Sequence, residues 1–214
     1  MVSDLLDLLR VEVPRELESR VPLADAQRNG RGRCVQATRV GIEALRYFGV
    51  EATPLVTLMM VGNEEWVQWM LAGKPQPLPE EVWSVGIDPE PRLGDRGYPA
   101  HLVIEIDGQI LDLDAGMYAR PHKGIFLPPT VLVPIRRQQG AQLPIAALDL
   151  EGGGAILYHD RGAVRVAPPD YRGTSAWKVP VSWAGPVIRR MREQLATTAR
   201  SSALPEDRGS RVAS

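Results

Sequence analysis

The sequence predicts an α+β fold in which a helix that carries the only cysteine packs on an antiparallel β-sheet. Two observations lead to this prediction. Residues 34–48 carry small and apolar side chains at helical spacing, and residues 97–116 have the alternation and the turn of a β-hairpin. Between them, residues 50–61 form a mainly apolar run that is typical of a buried strand. We therefore expect one domain over residues 1–200.

Residues 1–33 are expected to form a helical N-terminal part. Leucines at helical spacing predict one helix over residues 3–10, and Pro14 in a first-turn position predicts a second helix over residues 13–20. Residues 27–33 contain two glycines and three arginines. This loop is either a solvated connector or a loop of an active site.

Cys34 is predicted to lie in the first turn of the helix over residues 34–48. Gly49 is well placed to end that helix, and Gly41 within its apolar stripe would let a neighbouring strand approach closely. The unpaired N–H groups and the positive end of the helix dipole favour a thiolate at this position. The same N–H groups could stabilise an oxyanion.

The hairpin over residues 97–116 turns at Asp107-Gly108, a dipeptide that strongly favours two-residue hairpin turns. Such a turn fixes the register of the two strands. With this register His101 lies directly opposite Asp114, within reach of a side-chain hydrogen bond. A carboxylate there would fix the imidazole tautomer and stabilise its cation.

Residues 62–99 form a long insertion, rich in proline and glycine, between the predicted strand and the hairpin. Asn63 is expected to cap a short helix within it. An insertion of this kind is often a lid or a binding loop, and in that interpretation Trp66, Trp69 and Trp83 bind substrate. The alternative interpretation is that the three tryptophans anchor an otherwise irregular segment in the core.

The chain after the hairpin is expected to hold another strand, a second hairpin and a terminal helix. The patterns place the strand over residues 131–135, the second hairpin over residues 155–158 and 163–167, and the helix over residues 181–199. Residues 201–214 are small and polar, and we expect them to be disordered.

The composition excludes several classes of function. The 25 basic and 26 acidic residues nearly cancel, so nothing favours a nucleic-acid surface, and no run is apolar enough to span a membrane. A single cysteine excludes an internal disulfide framework, and three widely spaced histidines offer no helix-borne pair of metal ligands. The N-terminus lacks the pattern of a secretory signal, so a reducing cytoplasm, which suits a free thiol, is the expected compartment.

A cysteine at a helix start, a histidine on a strand and an aspartate on the next strand have the chemistry of a catalytic triad. Cys34 would be the nucleophile, His101 would take and return the proton, and Asp114 would orient the imidazole. Asp112 lies on the same face of the hairpin, one diagonal away from His101. It is the second candidate for the orienting carboxylate, or else a partner for an arginine of the preceding loop.

The three segments that contain these residues are CVQATRVGIEALRYFGVEATPL, GYPAHLVIEIDG and QILDLDAG. They resemble the cysteine helix, the histidine strand and the aspartate strand of the transglutaminase-like branch of the papain-like cysteine enzymes. The ending LDLDAG also resembles the aspartate strand of arylamine N-acetyltransferases. The resemblance implies a papain-like fold and a triad of Cys34, His101 and Asp114, and it makes Gln27 the candidate for a glutamine that stabilises the oxyanion.

Three functions are compatible with these observations. The first is a thiol hydrolase, such as a cysteine protease, that acts on a peptide, isopeptide or other amide bond, and the second is an acyltransferase of the same fold. Both would form an acyl-enzyme on Cys34 with neither a metal nor an organic cofactor, so their dependence on an acyl acceptor separates them. The third is a non-catalytic module that binds a partner through the tryptophan-bearing insertion, and a buried, unreactive Cys34 would favour it. The expected ligand is a peptide, a protein or a small acyl or amide compound.

Overall fold

The computed structural model is a mixed α+β protein, which confirms the predicted fold class at this level. It describes five stretches of the chain: residues 2–28, 33–86, 100–136, 144–160 and 171–203. Every pair of strands in these stretches is antiparallel.

Within the described residues, seven strands form one sheet. They are β1 (Thr53–Gly62), β2 (Ser84–Gly86), β3 (His101–Ile106), β4 (Gln109–Asp112), β5 (Val131–Pro134), β6 (Ala146–Asp149) and β7 (Ala155–Asp160). Their order is β5-β4-β3-β1-β7-β6, and β2 pairs with one end of β1 outside this path. The sheet curls so that its two edge strands approach each other. The N–H of Arg136, after β5, donates to the carbonyl of Ile145, before β6.

Helices cover one face of this curled sheet. The α-helices are α1 (Val2–Arg20), α2 (Leu23–Arg28), α3 (Cys34–Tyr47), α4 (Glu64–Leu71), α5 (Ser175–Lys178) and α6 (Ala184–Ala203). Short 3₁₀ helices lie at Ala115–Tyr118, Pro121–Lys123, Tyr171–Gly173 and Val179–Trp183. Helices α1, α3 and α6 share one apolar core with β3 and β4. None of the described helices combines the length and the apolar character that crossing a membrane requires.

Helix α1 is one continuous helix, where the sequence predicted two short ones. Leu5, Leu9, Val13 and Leu17 recur at every fourth position and are all buried, so a single apolar stripe continues across Pro14. A proline inside a helix costs about 3 kcal/mol. Burial of the stripe against α3 and α6 offsets this cost.

Buried charges also fix α6 against α1. Glu12 and Glu16 on α1 are both buried, and both accept hydrogen bonds from the guanidinium of Arg190 on α6. The side chain of Gln194 donates to Glu12 as well, at 2.7 Å. These two acids therefore hold the terminal helix in one register on α1.

Helix α3 follows the prediction closely. It begins at Cys34 and ends at Tyr47, and Gly49 adopts the left-handed conformation (φ 74°) expected of the residue that ends a helix. Gly41 faces β3, where a Cβ atom would lie 2.6 Å from Cδ1 of Ile104. Glycine at this position permits the close approach of helix and sheet.

The hairpin of β3 and β4 has the predicted turn and register. Asp107 and Gly108 have φ values of 48° and 70°, as a type I′ turn requires. Ile104 pairs with Leu111, as predicted. Strand β4 ends at Asp112, however, which is earlier than the sequence predicted.

The remaining predictions have mixed outcomes. Asn63 caps α4 as predicted, since its side chain accepts a hydrogen bond from the N–H of Trp66. Strand β7 is confirmed, but it pairs with β6, which the sequence did not predict, and the expected partner strand over residues 163–167 lies outside the described residues. Residues 87–99 of the insertion also lie outside them.

The end of the chain differs from the prediction in one respect. Helix α6 continues to Ala203, so the first three residues of the segment that we expected to be disordered are helical. Residues 204–214 lie outside the described residues.

Candidate active site

The candidate site lies where the start of α3 meets the start of β3. Cys34 is the first residue of α3, and its Sγ atom lies 4.0 Å from the carbonyl oxygen of Ala100, the residue before β3. His101 opens β3 and is fully buried. The fold therefore brings the cysteine and the histidine selected from the sequence to one place.

The imidazole of His101 is bonded to Asp112. Its Nε2 atom lies 2.7 Å from Oδ2 of Asp112, and both side chains are buried. The hydroxyl of Tyr158 donates to the same Oδ2 at 2.9 Å, and the backbone N–H of Asp114 donates to Oδ1 at 3.0 Å. Hydrogen bonds to both oxygens hold this carboxylate in a single orientation.

The expected contact of His101 with Asp114 is corrected by the structure. Because β4 ends at Asp112, the chain leaves the sheet before it reaches Asp114, which directly precedes the 3₁₀ helix Ala115–Tyr118. Asp112 lies on the same face as the histidine and reaches it diagonally. The carboxylate that was the second candidate is therefore the one beside the imidazole.

Asp114 holds the residue that precedes the cysteine. Its Oδ1 atom accepts hydrogen bonds from Nε (3.0 Å) and Nη2 (2.8 Å) of Arg33, and its Oδ2 atom accepts one from the backbone N–H of Arg33 (3.1 Å). The Nη1 atom of Arg33 donates to Glu18 and to the carbonyl of Val21. The ion pair of Arg33 and Asp114 thus ties the start of α3 to the segment that follows the hairpin.

Two tyrosines that the sequence analysis did not select contact His101. The hydroxyl of Tyr118 lies 3.4 Å from Nδ1, and its ring stands edge-on to the imidazole. The ring of Tyr158 stacks on the imidazole with 6.4 Å between centroids. Tyr158 lies in a predicted strand, but its side of the sheet depends on the pairing of β7 with β1. Tyr118 ends the 3₁₀ helix Ala115–Tyr118, for which the sequence carries no signal.

The imidazole of His101 is strongly basic in this environment. Burial by itself lowers its pKa, but the charge and hydrogen bond of Asp112, together with the side chain of Cys34, raise the pKa to about 10. His101 is therefore an imidazolium at neutral pH, between a carboxylate and a sulfur. An imidazolium beside a cysteine stabilises the thiolate, which is the reactive form.

Burial also raises the pKa values of two tyrosines and of Asp114 in this site. Burial raises the pKa of both Tyr118 and Tyr158 well above 10, and nearby negative charge adds to the effect, so both hydroxyls stay protonated and can donate. Burial also raises the pKa of Asp114 to about 6, although the charge of Arg33 acts in the opposite direction.

The first turn of α3 offers backbone donors next to the sulfur. The N–H of Ala37 already bonds within the chain, to the carbonyl of Arg33. The N–H groups of Cys34, Val35 and Gln36 therefore precede the hydrogen-bond ladder of the helix, and the side chain of the N-cap residue does not cap it. Backbone donors of this kind can stabilise an oxyanion.

Gln27 lies on α2, and its amide is engaged near the site. The amide nitrogen donates to the carbonyl of Met117 at 3.1 Å, in the 3₁₀ helix that carries Tyr118. Gln27 therefore supports the turn that places the tyrosine, and its role at an oxyanion stays a prediction.

The three tryptophans of the insertion have structural contacts of their own. Trp66 is buried, the indole N–H of Trp69 donates to the carbonyl of Pro75, and Trp83 is 41% exposed with Lys123 over its ring. In the described part of the chain, none of these contacts involves the cysteine, the histidine or the aspartates of the site. Burial supports the interpretation as a core anchor for Trp66 alone, since Trp83 is largely exposed and the bond of Trp69 stays within the insertion.

Neither a metal centre among the described residues nor a matching protein helps to interpret the site. In the part of the chain that the structure describes, no three His, Cys, Asp or Glu side chains are grouped so as to hold a metal ion. Comparisons with protein-family models, with curated proteins and with solved structures find no match to this chain. The geometry of the site is therefore the basis on which its function can be inferred.

Proposed function

We propose that the protein is a cysteine-dependent enzyme with a papain-like fold that forms an acyl-enzyme on Cys34 from a peptide, isopeptide or other amide. One observation carries the proposal: the imidazole of His101 is held at Nε2 by Asp112, and the same imidazole interacts electrostatically with the side chain of Cys34. In this arrangement an imidazole can move a proton to and from a sulfur nucleophile.

Each residue of this triad has its own task. The thiolate of Cys34 attacks the acyl carbon, and the charge that moves to the carbonyl oxygen is stabilised by the first-turn N–H groups of α3. The imidazolium of His101 gives its proton to the leaving amine, and the neutral ring then takes a proton from the incoming acceptor. Asp112 keeps the ring oriented and balances its charge.

Hydrolysis and acyl transfer share this acyl-enzyme. In hydrolysis the acceptor is water, as in a cysteine protease, and in acyl transfer it is an amine or a hydroxyl. We place the enzyme in the cytoplasm, because a reducing compartment keeps a catalytic thiol free.

The burial of the cysteine favours a second candidate function. Cys34 is only 4% exposed, and a buried cysteine is often a small apolar core residue. The second candidate is therefore a non-catalytic module of the same fold that binds a peptide or protein.

Formation of the acyl-enzyme distinguishes these candidates. We expect 4-nitrophenyl acetate to acetylate Cys34, as detected by mass spectrometry of the intact protein and of its peptides. The Cys34→Ser and His101→Gln variants are the controls, and both should lose the rapid adduct. A faster release of the acetyl group with added benzylamine would indicate a transferase. Absence of an adduct, or an equal rate in His101→Gln, would support the binding module instead.

A further inference from the structure

The hydroxyl of Tyr118 lies beside the ring nitrogen of His101 that is left to exchange protons. Asp112 engages Nε2 at 2.7 Å, so that nitrogen is Nδ1. The Tyr118 hydroxyl lies 3.4 Å from Nδ1, and the tyrosine ring stands at 90° to the imidazole. Most hydrogen bonds to nitrogen are shorter, about 2.7–3.2 Å. The contact is therefore weak, and a closer partner of either group can replace it.

The backbone around Tyr118 is held by side chains on both sides of it. The carbonyl of Met117 accepts hydrogen bonds from the amide of Gln27 at 3.1 Å and from the guanidinium of Arg120 at 3.2 Å. Tyr118 is half-buried and His101 is fully buried, so the tyrosine reaches from the surface to the imidazole. A group that approaches Nδ1 along this side therefore meets the Tyr118 hydroxyl.

The imidazole and the hydroxyl can share one small molecule. Because Nδ1 and the hydroxyl oxygen are 3.4 Å apart, a single atom can lie about 3 Å from both. Burial and nearby negative charge raise the pKa of Tyr118 well above 10, so the hydroxyl keeps its proton and does not replace the imidazole as the base. The lone pairs of its oxygen still accept a hydrogen bond.

We propose that Tyr118 is a further catalytic residue, which binds the acyl acceptor beside Nδ1 and selects an acceptor with two hydrogens on its attacking atom, such as water or a primary amine, over an alcohol. The inference rests on the proposed acyl-enzyme at Cys34. One hydrogen of the acceptor would bond to Nδ1 of His101 and the other to the oxygen of Tyr118. An alcohol has one such hydrogen, so it cannot bond to both groups in this way.

The second half of the reaction then balances as follows. The attacking atom of the acceptor forms a bond to the acyl carbon, and the bond between that carbon and the Sγ atom of Cys34 breaks. One hydrogen moves to Nδ1 of the neutral imidazole, and the sulfur leaves as the thiolate, which restores the ion pair with His101. The other hydrogen stays on the attacking atom and is held by Tyr118 throughout.

Partition of the acetyl-enzyme between water and methanol tests the proposal. The full chain is loaded with 4-nitrophenyl acetate, and NMR measures the ratio of methyl acetate to acetate that it releases. Tyr118→Phe keeps the ring but removes the hydroxyl, so this ratio should rise about three- to tenfold, the factor that one hydrogen bond contributes. Tyr158→Phe is the matched control. Its hydroxyl bonds to Asp112, on the Nε2 side, so the ratio should not change whatever happens to turnover.

The wild type supplies a measurement that needs no variant. Its ratio of methyl acetate to acetate should be at least about threefold lower than that of a small acetyl thioester free in solution. Equal ratios in these two cases, an unchanged ratio in Tyr118→Phe, or an equal shift in both phenylalanine variants would overturn the inference and leave the acyl-enzyme in place. If the wild type forms no acetyl-enzyme, the proposed function is wrong, and this inference with it. Circular dichroism checks that the variants fold.

Discussion

The Nε2 atom of His101 lies 2.7 Å from the Oδ2 atom of Asp112, and both groups are shielded from solvent. The hydrogen bond to Asp112 engages Nε2, so Nδ1 is the nitrogen left to exchange a proton with Cys34 in the proposed enzyme. Tyr118 lies on the Nδ1 side as well, at 3.4 Å. This pair therefore decides which nitrogen does the chemistry in the proposed enzyme.

Substitution of Asp112 should reduce turnover far more than substitution of Asp114. Asp112→Asn keeps the shape of the side chain but removes the charge that orients the imidazole, and we expect it to lower turnover of 4-nitrophenyl acetate by about 10³–10⁴-fold. Asp114→Asn does not touch the imidazole and should cost much less. Equal losses in the two variants would contradict the assignment of the carboxylates.

The ionisation of His101 can be measured directly by NMR. We expect the imidazole resonances of the wild type to titrate with a pKa of about 10, because Asp112 and Cys34 outweigh the effect of burial. In Asp112→Asn the charge is lost, so the pKa should fall. An ordinary pKa near 6.5 in the wild type would rule out the buried ion pair.

The ion pair of His101 and Asp112 should make the free energy of unfolding fall as the pH rises. The pKa of His101 is raised in the folded state from 6.5 to about 10, so its stabilisation is complete below pH 6.5 and is lost as the pH rises toward 10. Urea unfolding of the wild type between pH 7 and pH 10 should show this decline. His101→Gln should show a flatter profile, and parallel profiles would contradict the expectation.

The hydroxyl of Tyr158 should contribute to stability through Asp112. Tyr158→Phe removes a 2.9 Å hydrogen bond to a buried carboxylate, and we expect a loss of about 1–3 kcal/mol in the free energy of unfolding. Tyr118→Phe is the matched control, since its bond to the imidazole is longer at 3.4 Å and its loss should be smaller. The reverse order of the two losses would be inconsistent with this network.

The buried ion pair of Arg33 and Asp114 should contribute to the free energy of unfolding. Arg33→Met leaves a buried carboxyl group unpaired, which should cost about 3–5 kcal/mol at pH 8. The pKa of Asp114 is raised from 3.8 to about 6 even with Arg33 present, so this group lowers the stability of the folded state as the pH rises from about 3.8 to about 6. The cost of Arg33→Met should therefore be smaller at pH 5, where the carboxyl group is protonated.

A double variant controls for the loss of packing. Arg33→Met combined with Asp114→Leu removes both charges and should recover much of the stability, because an apolar pair leaves no unpaired charge. If the double variant is as unstable as Arg33→Met, packing rather than charge holds this part of the protein.

The sequence predicts much of the site because the patterns that place Cys34 and His101 lie in short, continuous segments. Asp107-Gly108 fixes the register of the hairpin, and the helical stripe places Cys34 at the start of α3. Local sequence does not predict the residue at which β4 ends, because this depends on the buried pairing of Asp114 with Arg33, which is distant in the chain. For this reason the sequence predicts that His101 lies near Cys34, but it pairs the imidazole with Asp114 instead of Asp112.

Tertiary contacts also explain the other differences. The stripe of α1 continues through Pro14 because α3 and α6 bury it, and neither contact can be seen in a window of sequence. Strand β6 is short, and among the described strands it pairs with β7 alone, so its pattern is weak. Tyr158 reaches Asp112 only because β7 lies beside β1.

The pH dependence of Cys34 alkylation by iodoacetamide tests the central claim most directly. If His101 is an imidazolium held by Asp112, Cys34 of the wild type should react well below pH 8. The His101→Ala variant should react only near the pH at which an ordinary thiol ionises, about 8.5. An unreactive Cys34, or a profile that is the same in both proteins, would contradict the triad and favour the binding module.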